Sequence, residues 1–170
     1  MKSFKNLTLF LSLCFNSVLW AGGNAGLNCA IQTYNGSYLT AVDGGGRTTD
    51  AIHSNATSVG PNERFTLIQE DYGGLPYYHS LQTAKGYFLT AEYGGGLIIE
   101  NVISSDRTAV GPWEKFIFVS KVDDWFAIQT ISGNYLTAID GGGRTTYVMN
   151  SNATWIRGWE LFKLTDCISN

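Results

Sequence analysis

The sequence predicts an all-β protein built from three internal repeats. The first observation is a recurring motif: IQTYNGSYLTAVDGGG begins at Ile31, LQTAKGYFLTAEYGGG at Leu81 and IQTISGNYLTAIDGGG at Ile128. The second is that each repeat divides into short apolar or alternating segments separated by Gly, Asn, Asp and Pro, a pattern typical of strands. The third is a pair of cysteines, Cys29 and Cys167, near the two ends of the repeated region.

Each repeat contains four strand-like segments. We predict strands at 30–34, 38–42, 48–52 and 64–68, at 79–83, 87–92, 97–102 and 115–120, and at 126–130, 135–139, 145–149 and 161–165. Twelve strands in three copies with adjacent chain ends predict a β-trefoil with pseudo-threefold symmetry, since one copy alone cannot bury its apolar face. A small propeller is the alternative, but propellers typically have four or more blades.

The repeats place copy one at about 28–72, copy two at 77–121 and copy three at 124–166. Three residues per copy have the alternation expected of inward-facing positions. They predict a core formed by Leu39, Leu89, Leu136, Ala41, Ala91, Ala138, Phe65, Phe116 and Phe162.

The first 25 residues have the features of a secretory signal peptide. Lys2 and Lys5 precede an apolar run from Leu7 to Trp20, and small residues follow from Ala21 to Ala25. The run is too short for a membrane span. We predict cleavage after Ala25, with Ala21 and Gly23 as alternatives, and a secreted, extracellular or periplasmic protein whose residues 26–170 form a single trefoil domain. We expect a monomer that does not insert into membranes.

Charge and cysteine content narrow the possible functions. Residues 1–25 hold two of the 11 Lys and Arg and none of the 14 Asp and Glu, which leaves a net charge of −5 on the remainder. This balance opposes binding to nucleic acid, which depends on a basic surface. Cys14 lies in the signal segment, so Cys29 and Cys167 remain as an even pair and predict a disulfide. That bond requires Cα atoms within about 7 Å of each other.

The stretch DGGGRTT, at Asp43–Thr49 and again at Asp140–Thr146, does not match a phosphate-binding loop, because no lysine follows the glycines and no helix is predicted. Glycines between strands supply positive φ for a turn, and they would also let a ligand approach the backbone. The acidic residues recur once per copy, and the sequence has no Ser-His-Asp or metal-ligand cluster. We therefore predict a non-catalytic protein without a cofactor or a metal.

The motif [YF]LTAxxGGG, followed about 20 residues later by GPWExF, resembles the fascin-like β-trefoil repeat, and the resemblance covers residues 28–166 in three copies. Fascins are cytoplasmic actin-bundling proteins with several trefoils. The chain is more similar in motif to secreted carbohydrate-binding modules of family 92. That resemblance implies binding to β-glucan at up to three equivalent sites, with a Trp as the stacking platform and a Glu as the hydrogen-bonding acid.

Carried over residue by residue, the resemblance implies a site at Trp113 and Glu114 and another at Trp159 and Glu160. Copy one has Asn62 before Glu63, so its platform is missing unless Tyr34, Tyr72 or another aromatic substitutes, and we predict two competent sites, with three as the alternative. The acids before the glycines are candidate second polar groups: Asp43, Glu92 and Asp140. Sugar binding combines a flat aromatic face with carboxylates or amides, which suits these residue types.

The sequence leaves several alternatives open. Each Glu could be a structural cap that accepts backbone N–H bonds, each Asp could be a turn residue, and Arg47 and Arg144 could brace a carboxylate. Trp125 is expected to pack in the fold, and Trp155 is expected to be exposed, where it could extend a site. Two sequons begin at Asn55 and Asn152. The competing functions are a secreted protein-interaction trefoil, such as a toxin subunit, effector or inhibitor, and a fascin-like actin-binding protein.

Overall fold

The computed structural model describes residues 26–70 and 77–169; the predicted signal peptide at 1–25 lies outside this range. Among the described residues, regular structure consists of twelve strands and six 3₁₀ turns. The strands are β1 Leu27–Thr33, β2 Tyr38–Ala41, β3 Ile52–Ala56, β4 Arg64–Gln69, β5 Tyr78–Gln82, β6 Phe88–Ala91, β7 Ile103–Arg107, β8 Phe116–Ser120, β9 Phe126–Gln129, β10 Tyr135–Ala138, β11 Met149–Ala153 and β12 Phe162–Ser169. Within the described part of the chain, no helix is long and apolar enough to cross a membrane.

Six strands close into a barrel. Antiparallel pairing runs from β1 to β4, β5, β8, β9, β12 and back to β1. The other six strands form three hairpins, β2–β3, β6–β7 and β10–β11, and each hairpin joins the barrel through the preceding strand. The all-β prediction with twelve strands is confirmed.

The core lies inside the barrel and under the hairpins. All nine predicted core residues are buried, and Phe65, Phe116 and Phe162 are wholly inaccessible to solvent. The alternation identified them because the Leu and Ala of each copy are two residues apart and their side chains lie on the same face of the strand. The prediction for these nine residues is confirmed.

The predicted disulfide is present. Cys29 on β1 and Cys167 on β12 are bonded, with their Cα atoms 4.1 Å apart. The two strands are neighbours in the barrel, so the bond joins the first and last strands of the fold. A cross-link closing a loop of 138 residues removes freedom mainly from the unfolded chain.

The third predicted strand of each copy was placed too early. The sequence suggested 48–52, 97–102 and 145–149, whereas β3, β7 and β11 begin at Ile52, Ile103 and Met149. The residues after the glycines form a turn instead, with positive φ at Asp50, Asn101 and Tyr147. The true strands were hidden because their inward positions include serine, such as Ser54 and Ser151, which interrupts the apolar alternation.

Those buried serines lie where a glycine turn from another copy contacts the strand. The amide of Gly143 in copy three donates to the carbonyl of Ser54 in copy one at 2.7 Å. The same bond joins Gly46 to Ser105 and Gly96 to Ser151, each at 2.7 Å. A small inward side chain leaves room for this approach, so the glycine turns fasten the three copies to one another.

Candidate functional site

Each candidate site is assembled from three turns. Two belong to one copy: the turn that contains the first glycine of the GGG motif, and the turn that carries Trp113, Trp159 or Asn62. The third is the hairpin turn after the first strand of the next copy. Its backbone amide donates to the carbonyl of the first glycine, in the pairs Asn35–Gly141 at 3.0 Å, Lys85–Gly44 at 3.1 Å and Ser132–Gly94 at 3.1 Å.

The middle glycine lets the two copies come this close. A Cβ on Gly142 would lie 2.2 Å from Thr33 Oγ1, and one on Gly45 would lie 2.4 Å from Thr83 Oγ1. Both glycines also have positive φ, at 113° and 102°. We expected the bare backbone to leave room for a ligand, but at this glycine the neighbouring copy's threonine occupies that room.

The tryptophans lie on the surface, over the first glycine. Trp159 Cδ1 would be 3.4 Å from a Cβ on Gly141, and Trp113 Cδ1 has the same distance from the equivalent position on Gly94. The side chains remain 47 % and 38 % exposed. A Cβ on the glycine would be in van der Waals contact with the indole, so the ring lies directly against the turn, with part of its surface open to solvent.

The tryptophan of copy two has an aromatic neighbour. The rings of Tyr93 and Trp113 have their centroids 5.7 Å apart and are tilted by 43°. Beside Trp113 lies an open groove of about 390 Å³, lined by Arg107, Ala109, Val110, Gly111, Pro112, Trp113 and Glu114. An aromatic ring beside a groove of this size is a common feature of small-ligand sites.

The three glutamates are held by internal hydrogen bonds. Glu160 accepts from Thr137 Oγ1 at 2.7 Å through one carboxylate oxygen and from the backbone amide of Arg157 at 2.8 Å through the other. Glu160 is 7 % exposed, and Glu114 is 5 % exposed. The same pairs of bonds recur for Glu114 with Thr90 and Gly111, and for half-buried Glu63 with Thr40 and Gly60.

This geometry gives each glutamate a structural task. Its carboxylate links the turn carrying the tryptophan or Asn62 to the second strand of the same copy, and charge-assisted bonds of this kind are strong. It is the backbone-capping arrangement that the sequence left open as an alternative. Direct contact between these glutamates and a sugar stays a prediction.

The acids before the glycines differ among the copies. Asp43 pairs with Arg47 at 2.7 Å and Asp140 with Arg144 at 2.5 Å, on the exposed surface beside the turn. Glu92 does not occupy the equivalent position, because Tyr93 is the residue directly before the glycines in copy two. Glu92 instead accepts from Ser104 Oγ at 2.5 Å.

Copy one lacks the aromatic platform. Asn62 is near the position that the indole takes in the other copies, with its Oδ1 3.1 Å from where a Cβ on Gly44 would be. The Lys85 stem lies at 3.2 Å from the same point. Copy one therefore has the backbone of the site, but the side chains at its surface are polar instead of aromatic.

The sequence analysis did not predict a glutamine side-chain hydrogen bond that closes each of these hairpin turns. The Gln32 side-chain amide donates to the Gly36 carbonyl at 2.9 Å, and Gln82 and Gln129 make the equivalent bond. The repeated motif places each of these glutamines four residues before a glycine, and this alignment could have revealed the bond. The contacts between copies had no such signal, because the sequence does not state which copies adjoin.

The fold is similar to those of several solved structures. The designed threefold symmetric protein ThreeFoil matches with a TM-score of 0.67 at 16 % identity, over 82 % of this chain and 98 % of that one. The Rhizoctonia solani agglutinin matches with a TM-score of 0.62 at 17 % identity, over 84 % and 96 %. SeviL, solved bound to asialo-GM1 saccharide, matches with a TM-score of 0.58 at 12 % identity, over 82 % and 96 %.

An enzyme also contains a similar domain: the chain matches 30 % of an exo-β-1,3-galactanase from Clostridium thermocellum, with a TM-score of 0.63 at 14 % identity and 85 % of this chain covered. No protein-family model and no curated protein matches the sequence. At these identities the likeness shows the fold, which is the β-trefoil that the repeats predicted.

Proposed function

We propose that this protein is a secreted, non-catalytic carbohydrate-binding module or lectin with two binding sites, one at Trp113 and one at Trp159. One observation carries the proposal. Both indoles are partly exposed over a glycine turn, although a tryptophan that served only to fill the core would be buried. The equivalent Asn62 in copy one is consistent with a surface role, because a polar side chain fits such a position and fits a core position poorly.

The chemistry of the surroundings suits a sugar. A partly open indole offers its face to the C–H face of a pyranose, while nearby polar groups can bond the hydroxyls. In copy three, Asp140 and Arg144 lie on the turn beside the glycine and supply an acceptor and several donors. We assign Glu114 and Glu160 mainly the task of holding the tryptophan turn in place.

The finer features of the proposal rest on the sequence. β-Glucan as the ligand follows from the resemblance to secreted family 92 modules, and secretion follows from the features of residues 1–25 and agrees with the disulfide. The recurrence of the same hydrogen bonds in each copy supports pseudo-threefold symmetry. A monomer with two sites would bind polymeric glycan with avidity, since the second contact becomes intramolecular.

Calorimetry with β-1,3- and β-1,6-glucans tests the proposal. We expect binding by the wild type, about tenfold weaker binding to polymer after either Trp113→Ala or Trp159→Ala, and none after both. Asn62→Ala is the matched control, because it changes the equivalent residue in the copy without a platform. Unchanged unfolding curves would establish that the variants are folded.

Two results would contradict the proposal. The first is an absence of binding to any member of a broad glycan array. The second is glycan binding that persists unchanged in the Trp113→Ala, Trp159→Ala double variant, because the ligand would then bind elsewhere on the surface.

A further inference from the structure

Next to Trp159, the exposed aromatic surface continues across the boundary between copies. Tyr34, from the hairpin turn of copy one, is 53 % exposed. Its ring lies against the backbone of Gly158, where an added Cβ would be 3.2 Å from Tyr34 Cε1. Gly158 directly precedes Trp159, so the two partly exposed rings come from adjoining surface positions.

The Tyr34 ring also packs against a second aromatic ring. Its centroid is 5.5 Å from that of Trp125, with the planes tilted by 44°. Lys163 Nζ lies 4.6 Å from the Trp125 ring centroid, within the range of a cation–π contact. Trp125 is half-buried and partly covered by this ammonium, so it positions Tyr34 and leaves Tyr34 as the more open ring.

This arrangement is specific to copy three. Gly158 is replaced by Pro112 in copy two and Pro61 in copy one, and neither offers the bare backbone on which Tyr34 rests. The residue equivalent to Tyr34 in the hairpin turn beside the copy-two site is Ile131, and in the hairpin turn beside the copy-one site it is Ala84. In copy two the aromatic neighbour of Trp113 is Tyr93, which lies on the glycine turn of the same copy rather than on the next copy's hairpin.

We propose that Tyr34 forms a second sugar-binding subsite beside Trp159, so that the copy-three site takes at least two consecutive units of a glycan chain. This inference rests on the proposed function and specifies its ligand as an oligosaccharide at that site. A tyrosine that is 53 % exposed and carries a hydroxyl can stack on one unit and bond its hydroxyls, while Trp159 stacks on the next. Tyr34 determines specificity for chain length, and Trp125 is a positioning residue.

The test uses the full chain carrying Trp113→Ala, so that copy three is the remaining platform. Calorimetry compares glucose with β-1,3- and β-1,6-linked gluco-oligosaccharides of increasing length. We expect binding to strengthen by about two- to tenfold from the single sugar to the disaccharide. Tyr34→Ala, which introduces the residue found at this position in copy two, should remove that gain while Trp159-dependent binding of glucose persists, and Tyr34→Phe should keep most of the gain.

Trp125→Ala reports on the positioning role: it should reduce the gain without altering the affinity for glucose. Ile131→Ala is the matched control, since Ile131 is the copy-three residue equivalent to Tyr34 and lies beside the copy-two site, and it should have no effect on chain-length preference. An unchanged ratio of disaccharide to glucose affinity in Tyr34→Ala would overturn this inference alone, because Trp159-dependent binding would persist. Absence of glycan binding by the wild type would overturn the proposed function and this inference together.

Discussion

Copy one and copy three of this trefoil share a backbone arrangement and differ in what they expose on it. Both have the DGGGRTT turn, an Asp–Arg pair beside it and a glutamate that accepts from a threonine and a backbone amide. Copy three exposes Trp159 over its first glycine, whereas copy one has Asn62 in that place.

The difference separates two roles that the motif alone does not distinguish. Glycines, threonines and glutamates build the turns and join the copies, and they recur whether or not an aromatic ring is present. The exposed side chains decide what the site can bind. A trefoil can therefore lose a binding platform in one copy without losing the contacts that hold that copy in the fold.

The first prediction tests whether the shared turn is a structural necessity in both copies. Gly142→Ala places a Cβ 2.2 Å from Thr33 Oγ1 at a positive φ, and we expect it to lower the free energy of unfolding by about 4 kcal/mol. Gly45→Ala should cost nearly as much, although copy one has no platform. Denaturant unfolding measures both.

Gly133→Ala is the control for this pair. Gly133 also has positive φ, at 87°, but no atom lies within 4 Å of an added Cβ, so we expect a loss of about 1–2 kcal/mol. If Gly133→Ala and Gly142→Ala lowered the free energy of unfolding equally, the middle glycine would not be needed for the close approach between copies.

The second prediction concerns a position where copy two departs from both of the others. His79 is buried where copy one has Cys29 and copy three has Phe126. Because burial disfavours the charged imidazole, the pKa of His79 is lowered from 6.5 to about 4. Between these two values the unfolded chain binds the proton more readily than the folded chain does. The contribution of neutral His79 to the free energy of unfolding should therefore be fully present above pH 6.5, and it should be lost as the pH falls towards 4.

We expect this fall to reach about 3 kcal/mol in the free energy of unfolding near pH 4. His79→Phe, which introduces the copy-three residue, should remove that part of the pH dependence. Thermal unfolding of both proteins between pH 4 and pH 8 measures it, and parallel curves for the two would refute the assignment to His79.

The third prediction compares the glutamates. Glu160→Gln weakens two charge-assisted bonds of a buried carboxylate, and we expect a loss of about 2 kcal/mol in the free energy of unfolding. Glu63→Gln should cost about 1 kcal/mol, because Glu63 is only half-buried. A Glu160→Gln variant with wild-type stability and no glycan binding would instead support a direct ligand role.

The fourth prediction concerns a variant that adds the missing aromatic platform to copy one. Asn62→Trp should give copy one a platform, because the first glycine and the glutamate that hold the turn are already present. We expect a third site in calorimetry with an affinity gain of about 1 kcal/mol from the added ring. Asn62→Leu, which adds an apolar side chain without a ring, should leave two sites.

Much of the fold was predictable because the same residues recur three times. The recurrence of Leu, Ala and Phe at fixed spacing identified the core, and the cysteine positions predicted the bond between β1 and β12. The third strand of each copy was misplaced because inward serines such as Ser54 interrupt the apolar alternation. Those serines are small on account of a contact with another copy, which is not visible within one repeat.

The candidate site was predictable in its residue types and less so in its arrangement. The motif located Trp113 and Trp159, and both lie on the surface. Glu92 was grouped with Asp43 and Asp140 as an acid before the glycines, although Tyr93 is the equivalent residue. Tyr34 could not be assigned to the surface around Trp159, since nothing in the sequence places the hairpin turn of copy one beside copy three.

The central claim is that the exposed tryptophans bind glycan, and titration of β-glucan oligosaccharides followed by tryptophan fluorescence tests it most directly. The wild type should show a saturable change, which Trp113→Ala and Trp159→Ala each reduce and the double variant abolishes, while Trp155→Ala leaves it intact although Trp155 is 76 % exposed. Saturable binding in the double variant, or equal loss in Trp155→Ala, would contradict the account.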